Sequence, residues 1–197
     1  MSAEERKRQI LTEATRLFSR QGYDKVTIKE LANACGITEP ALYRYYPSKE
    51  ALYDAVLETI PSLLQHQELF DRLKEATELP DILFGLAHHI LDFFSAHREL
   101  YRLLLYSALR EHSKSPETYR AIRGPYIDFL WRHLDRLYAE GKIVKKNNEL
   151  TARCFVGSVF DCTLASTLWQ GFLGNTYTLD EIVANNVPVF IAGLSVK

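Results

Sequence analysis

Glu39, Pro40, Ala41, Tyr43, Arg44 and Tyr45 fall on the outward positions of a short helix that the sequence places near residues 38–46. A solvated helix face rarely carries two tyrosines and a proline within two turns. A face that enters a DNA groove does. Tyrosine reaches backbone phosphates and thymine methyls, arginine reads guanine or grips phosphate, and small residues let the helix come close. The inward positions of the same stretch are apolar, with Ile37 and Leu42 forming a small core together with Ile28, Leu31, Ala32 and Cys35. A generic corner between two helices would satisfy that core but would not require the outward set.

The elements that position these residues can be read from capping and breaking signals. Thr27-Ile-Lys-Glu30 has the spacing of a capping box, in which the threonine hydroxyl accepts from the Glu30 amide and the carboxylate reaches back. The helix it starts is two turns long and stops at Gly36, where the backbone needs φ > 0. Thr38 can N-cap the next helix, with Pro40 tolerated in its first turn. A small residue at Ala32, glycine four later, and aliphatic residues at 37 and 42 make a helix-turn-helix pattern.

Helical periodicity runs through the rest of the chain. Ile10, Ala14, Leu17 and Phe18 line one face of a helix over 3–20 that ends at Gly22. Pro47-Ser48 starts a fourth helix reaching about residue 65. Further helices are expected near 80–96, 98–112, 116–140, 147–173 and 178–194, with a short one possible at 66–76. Pro80, His97-Arg98, Ser115-Pro116, Gly141 and Gly174-Asn175 are the breakers, and Gly124-Pro125 is expected to kink 116–140. No strand alternation, repeat or low-complexity linker stands out. The expected fold is all-α, with about nine helices. Residues 1–50 form a three-helix DNA-binding head, and 51–197 form a helical domain for ligand binding and dimerisation.

Composition fits this reading without proving it. The 197 residues are 47% hydrophobic and 25% charged, with a net charge of −1. Residues 1–49 hold nine Lys/Arg against six Asp/Glu, a net +3, leaving −4 for the remainder. That asymmetry suits a nucleic-acid contact confined to one end. The N-terminus has no apolar signal-peptide core and no long uninterrupted apolar run follows, so a cytoplasmic protein without a membrane partner is expected. Three cysteines without CxxC spacing read as reduced thiols. Cys154 and Cys162 are expected as buried small apolar side chains. His88 and His89 are adjacent and so make a poor metal pair. No nucleophile motif, phosphate-binding glycine loop or paired carboxylates appear. No enzymatic activity, metal or cofactor is expected.

The run Thr27-Ile-Lys-Glu-Leu-Ala-Asn-Ala-Cys-Gly-Ile-Thr-Glu-Pro-Ala-Leu-Tyr-Arg-Tyr-Tyr-Pro-Ser-Lys-Glu-Ala-Leu52 closely resembles the DNA-binding domain of TetR-type transcriptional regulators. The resemblance covers roughly residues 8–56. It implies a homodimeric repressor that binds double-stranded DNA at a palindromic operator and is released when a small-molecule effector binds the C-terminal domain. It also implies that Thr27 and Thr38 start helices near phosphates, that Glu39, Ala41 and Arg44 face bases or their edges, and that Tyr43 and Tyr45 contact phosphate or thymine. Lys49 matches the family's phosphate-binding lysine at a helix N-terminus. Tyr46 stands where the family often has Phe and is read as core. Glu39 departs from the pattern in sign, because a carboxylate in the groove must accept from cytosine or point away.

The rest of the chain is less explicit. Phe155, Val159, Cys162, Ser166 and Trp169 recur at helical spacing, with a second apolar face on the same helix. They are expected at the dimer interface, intramolecular core being the alternative. Aromatics are dense between residues 84 and 138, with His89, Arg102, Asp128 and His133 among them. An apolar pocket with a few polar anchors would draw on Phe93, Tyr101, Tyr126, Phe129 and His133. Asp161, inside an apolar helix, is a further anchor candidate, or an interface charge partnered, for example, by Arg153 or by a residue of the other subunit. The competing reading is a ligand-binding or scaffolding helical protein with no DNA role.

Overall fold

The computed structural model describes residues 2–64, 66–169 and 177–196. Among these, ten α-helices follow one another: α1 Ala3–Gln21, α2 Ile28–Ala34, α3 Glu39–Tyr43, α4 Lys49–Thr59, α5 His66–Leu73, α6 Leu79–Ala96, α7 Arg98–Leu109, α8 Ser115–Ala139, α9 Asn148–Leu168 and α10 Leu179–Leu194. A short 3₁₀ turn, Pro61–Leu63, replaces the end of the expected fourth helix. The expected continuation of α9 through residues 170–173, and the breaker at Gly174-Asn175, lie outside the described residues. Pro125 sits inside α8, which runs on through it.

The chain forms two compact units. The first comprises Met1–Leu63 with Glu99–Tyr119, the second Leu64–Arg98 with Arg120–Lys197. In the first unit α1 packs on α4, and α2 packs on α3 and α1. Ile10, Ala14, Phe18, Leu31, Leu42 and Leu52 are almost wholly buried there. The Phe18, Tyr23 and Tyr53 rings join in edge and stacked contacts 5.0–5.8 Å apart. Gly22 ends α1 at φ 79°. Arg102 of α7 then donates from Nε to the Ser19 carbonyl at 2.8 Å, satisfying an acceptor that the end of α1 would leave open. This is the role of Arg102, which aromatic density had marked as a pocket group.

In the second unit α6 packs on both α9 and α10. Phe94 meets Phe160 at 5.1 Å, and Phe155 meets Phe190 edge to face at 5.0 Å. The segment after α8 turns at Gly141, φ 71°, and Ile143 forms an isolated antiparallel bridge with Ser195. Arg136 donates to the backbone carbonyls of Lys74 and Ala76, and Lys142 Nζ to that of Thr77.

Candidate nucleic-acid interface

The second helix begins where its spacing demands. Thr27 Oγ1 accepts from the Glu30 amide at 3.1 Å, and a Glu30 carboxylate oxygen accepts from the Thr27 amide at 2.8 Å. The Thr27 hydroxyl and amide hold the Glu30 carboxyl below its usual range. Gly36 takes φ 64°, a backbone state that costs an L-residue roughly 1–2 kcal/mol. Ile37 donates its amide to Ala32 at 3.0 Å, closing the turn. Leu31, Ala32, Cys35, Leu42 and Tyr46 are buried, and Ile28 and Ile37 half-buried, so the expected core is the one that forms.

Thr38 caps α3 through Oγ1, which accepts from the Ala41 amide at 3.3 Å. The helix is shorter than expected, ending at Tyr43 with Arg44 as its C-cap. The turn nevertheless continues, because the amides of Tyr45 and Tyr46 both reach the Leu42 carbonyl, at 2.9 and 3.1 Å. Glu39, Tyr43 and Arg44 are exposed, Ala41 and Tyr45 half-exposed. Thr27, Thr38, Glu39, Ala41, Tyr43, Arg44 and Tyr45 thus all keep accessible surface on α2, α3 and the turn that follows.

Lys49 is the first residue of α4, and the preceding Ser48 hydroxyl accepts from the Ala51 amide at 3.0 Å. Its ammonium lies 4.2 Å from the centroid of the Tyr23 ring. The Arg110 guanidinium lies 4.2 Å from the same centroid and pairs with Asp24. Partial burial pushes the Lys49 ammonium below its ordinary value. Tyr23, desolvated and hydrogen-bonded to Glu50, is pushed up to about 12. Glu50 also accepts from His112 Nε2 at 2.9 Å, and Asp54 lies 3.4 Å from that nitrogen. The Lys114 amide donates to His112 Nδ1 at 3.2 Å, which places the neutral ring's proton on Nε2. The His112 ring sits edge-on against Tyr53 at 5.2 Å and is nearly fully buried. Tyr23, Arg110 and His112 escaped the sequence reading. They lie up to 89 positions away from one another, and no periodic pattern links them.

Of the expected effector residues, Tyr101 is buried in the first unit, whereas Phe93, Tyr126, Phe129 and His133 belong to the second. Phe93 pairs with Phe94 and His97. Tyr126, Phe129 and His133 share one face of α8 with His66 and Phe70 of α5 against it: Phe70 stacks on Phe129 at 4.5 Å, and His66 meets Tyr126 at 4.5 Å. His89 is bonded to the Leu64 carbonyl at 3.2 Å, and Asp128 is exposed. Asp161 is also exposed, and Arg153 pairs with Glu149 instead of with it.

Phe155 and Val159 are buried within the chain itself, so intrachain packing accounts for their apolar character. With Cys162 they line a small cleft between α6, α9 and α10. Ser166 is half-exposed and Trp169 44% exposed. Cys154 is exposed, contrary to the expectation of burial, and Cys162 is half-buried and accepts from Asn186 at 3.2 Å.

A capped helix, a glycine turn and a second helix that offers Tyr43 and Arg44 outward form a helix-turn-helix unit. Comparison with known proteins agrees. Residues 10–56 match the bacterial regulatory proteins of the tetR family. The nucleoid occlusion factor SlmA of Mannheimia succiniciproducens is 35% identical over 113 residues, covering 55% of this chain and 50% of that protein. The chain spans about half the length of the curated relatives it matches. Among solved structures, a transcriptional regulator from Saccharomonospora viridis in complex with choline superposes with a TM-score of 0.79 at 17% identity, covering 98% of this chain and all of that one. AibR in complex with isovaleryl coenzyme A and operator DNA gives 0.67 at 23% identity, covering 93% and 97%. At such identities the structures speak for the fold. Residues 10–56 are thus similar to the DNA-binding domain of TetR-family regulators.

Proposed function

We infer that the protein is a dimeric transcriptional repressor that binds a palindromic operator and is released when a small molecule occupies the C-terminal domain. Residues 1–50 read the DNA, and residues 51–197 bind the ligand and the second subunit. The observation that carries this is the set of exposed Tyr43 and Arg44 and half-exposed Tyr45 beside Lys49 at the first turn of α4. Tyr43, Tyr45 and Lys49 grip phosphates, Arg44 reads a base, and Thr27 and Thr38 flank the backbone. One head, with a net +3 over residues 1–49, binds DNA weakly, and two-fold pairing on a palindrome multiplies its affinity. Leu150 of α9 and Val189 of α10, 60% and 67% exposed, are apolar surface that a second subunit would cover. Among the described residues no helix is long and apolar enough to cross a membrane, and a DNA-binding role places the protein in the cytoplasm. A salt-titrated gel shift on the promoter region beside its own gene tests the reading. A folded dimer that shows no specific retardation at any salt concentration would sink it.

A second reading has an observation of its own. The match to the nucleoid occlusion factor extends over 113 residues, more than twice the stretch 10–56. Binding at many dispersed chromosomal sites would follow from that role, and binding at one or a few promoters from the first. Genome-wide mapping of bound sites separates the two.

A further inference from the structure

Three buried polar atoms in the aromatic cluster of the second unit have no hydrogen-bond partner among the described residues: Tyr126 Oη, His66 Nε2 and His133 Nε2. Tyr126 itself is fully buried. Burying an unpaired polar group costs free energy, and three in one cluster need a reason. The His133 tautomer sharpens what is missing. His133 bonds the Phe129 carbonyl through Nδ1 at 2.8 Å. A carbonyl only accepts, so Nδ1 carries the proton, and in the neutral ring Nε2 is a bare acceptor. His66 Nε2 is likewise buried without a partner. The cluster therefore offers one bare acceptor at His133, an unpaired ring nitrogen at His66 and one hydroxyl.

The surroundings are flat and apolar. His66 and Tyr126 meet at 4.5 Å, Phe70 and Phe129 lie parallel within 10° at 4.5 Å, and Phe129 and His133 meet at 4.1 Å. Tyr126 and His133 are seven residues apart on α8, roughly 10 Å along its axis, about the length of a two-ring aromatic. Burial pushes the His66 imidazole down to about 4, so it is neutral at physiological pH and offers no charge to an anion. Arg123 is engaged over the Phe160 ring at 4.3 Å.

We propose that this cluster is the effector site and that its ligand is a neutral, hydroxylated aromatic molecule whose hydroxyl pairs with His66 Nε2 beside Tyr126, with the rings of Phe70 and Phe129 against its faces. The proposal rests on the ligand-responsive reading above and gives that ligand a chemical class. Phe70 and Phe129 stack on each other at 4.5 Å, so Phe70, half-exposed, must swing away to admit a flat guest between the two rings.

The test uses three ring-matched probes with the full chain: 2-naphthol, naphthalene, which lacks the donor, and 2-naphthoate, which is anionic. Calorimetry should show 2-naphthol binding about tenfold or more tighter than naphthalene, the value of one hydrogen bond to an otherwise unpaired buried nitrogen, with 2-naphthoate weaker still. His66→Phe keeps a ring and removes that nitrogen. It should weaken 2-naphthol about tenfold and leave naphthalene unchanged, and Tyr126→Phe checks the same end of the cluster independently. Equal affinity for the two neutral probes, no binding of 2-naphthol, preference for 2-naphthoate, or an unchanged 2-naphthol affinity in both variants overturns the proposal. The gel shift is run in parallel. Tight, His66-dependent binding of 2-naphthol that leaves DNA affinity unaltered upholds the site and removes the repressor reading. Release of DNA by 2-naphthoate without any 2-naphthol effect does the reverse.

Discussion

Lys49 offers the sharpest quantitative test of the DNA interface, because its ammonium already has a partner. It lies over the Tyr23 ring, an interaction worth about 0.5–1 kcal/mol at a partly exposed site. A phosphate contact must compete with or add to that. If Lys49 neutralises one phosphate per head, Lys49→Ala in a dimer removes two, and the slope of log affinity against log salt should fall by roughly 1.8. Between 50 and 200 mM salt the ratio of wild-type to variant affinity should then shrink about twelvefold. Fluorescence anisotropy with a labelled operator, titrated at four or five salt concentrations, measures the slope directly. An unchanged slope would show that the amine stays on Tyr23 and that the phosphate assignment is wrong, even if affinity drops. A slope reduced by about 0.9 would mean that only one head engages. Arg44→Ala should reduce the slope by at most a similar amount and in addition relax base preference at one position. Equal losses on all operator variants would demote it to a backbone contact.

The remaining predictions concern the scaffold. Tyr46→Phe removes a buried hydroxyl without a partner and keeps the ring, so it should stabilise the protein by about 1 kcal/mol with DNA affinity unchanged. Thermal unfolding and anisotropy together check this, and a fall in affinity would make Tyr46 a DNA contact. Gly36→Ala meets no atom within 4 Å of the added Cβ, so its cost is the backbone alone, roughly 1–2 kcal/mol in denaturant unfolding. A loss below about 0.5 kcal/mol would show that the turn relaxes. The His66 imidazole is depressed from 6.5 to about 4 on folding, so the unfolded chain takes up its proton first. Stability contributed by the neutral ring is complete above pH 6.5 and drains away as pH falls toward 4, by on the order of 2 kcal/mol for a half-buried ring. His66→Phe should flatten that part of the stability profile, and an identical profile in both proteins would refute the assignment.

Local signals made the head legible. Thr27 and Glu30 lie three apart and form the box that this spacing implies, and Gly36 adopts the positive φ that its place in the pattern requires. Breakers located the later helices within a few residues for the same reason, since proline and glycine act on the backbone beside them. What stayed illegible is long-range. Lys49 lies over the Tyr23 ring, which Arg110 also faces, residues 26 and 61 positions away, and no propensity reports such a meeting. The α9 pattern was ambiguous because both of its faces are apolar. Only the position of Phe190 against Phe155 shows that one of those faces is filled from within the chain. Aromatic density likewise marked a region but could not say that Tyr126 faces His66 or that Arg102 caps a helix.

The first compact unit is discontinuous, combining Met1–Leu63 with Glu99–Tyr119. This has a consequence during synthesis. The DNA-binding helices leave the ribosome first, yet Arg110 and His112, which pair with Asp24 and Glu50, follow only near the end of residues 64–119. At about 5–20 residues per second that interval lasts roughly 3–11 s. Through it the head has only its own small core to hold it, and its completion must await closure of a long intervening loop. A fragment cut just after α4 would preserve every predicted DNA contact and still lack the partners that arrive last.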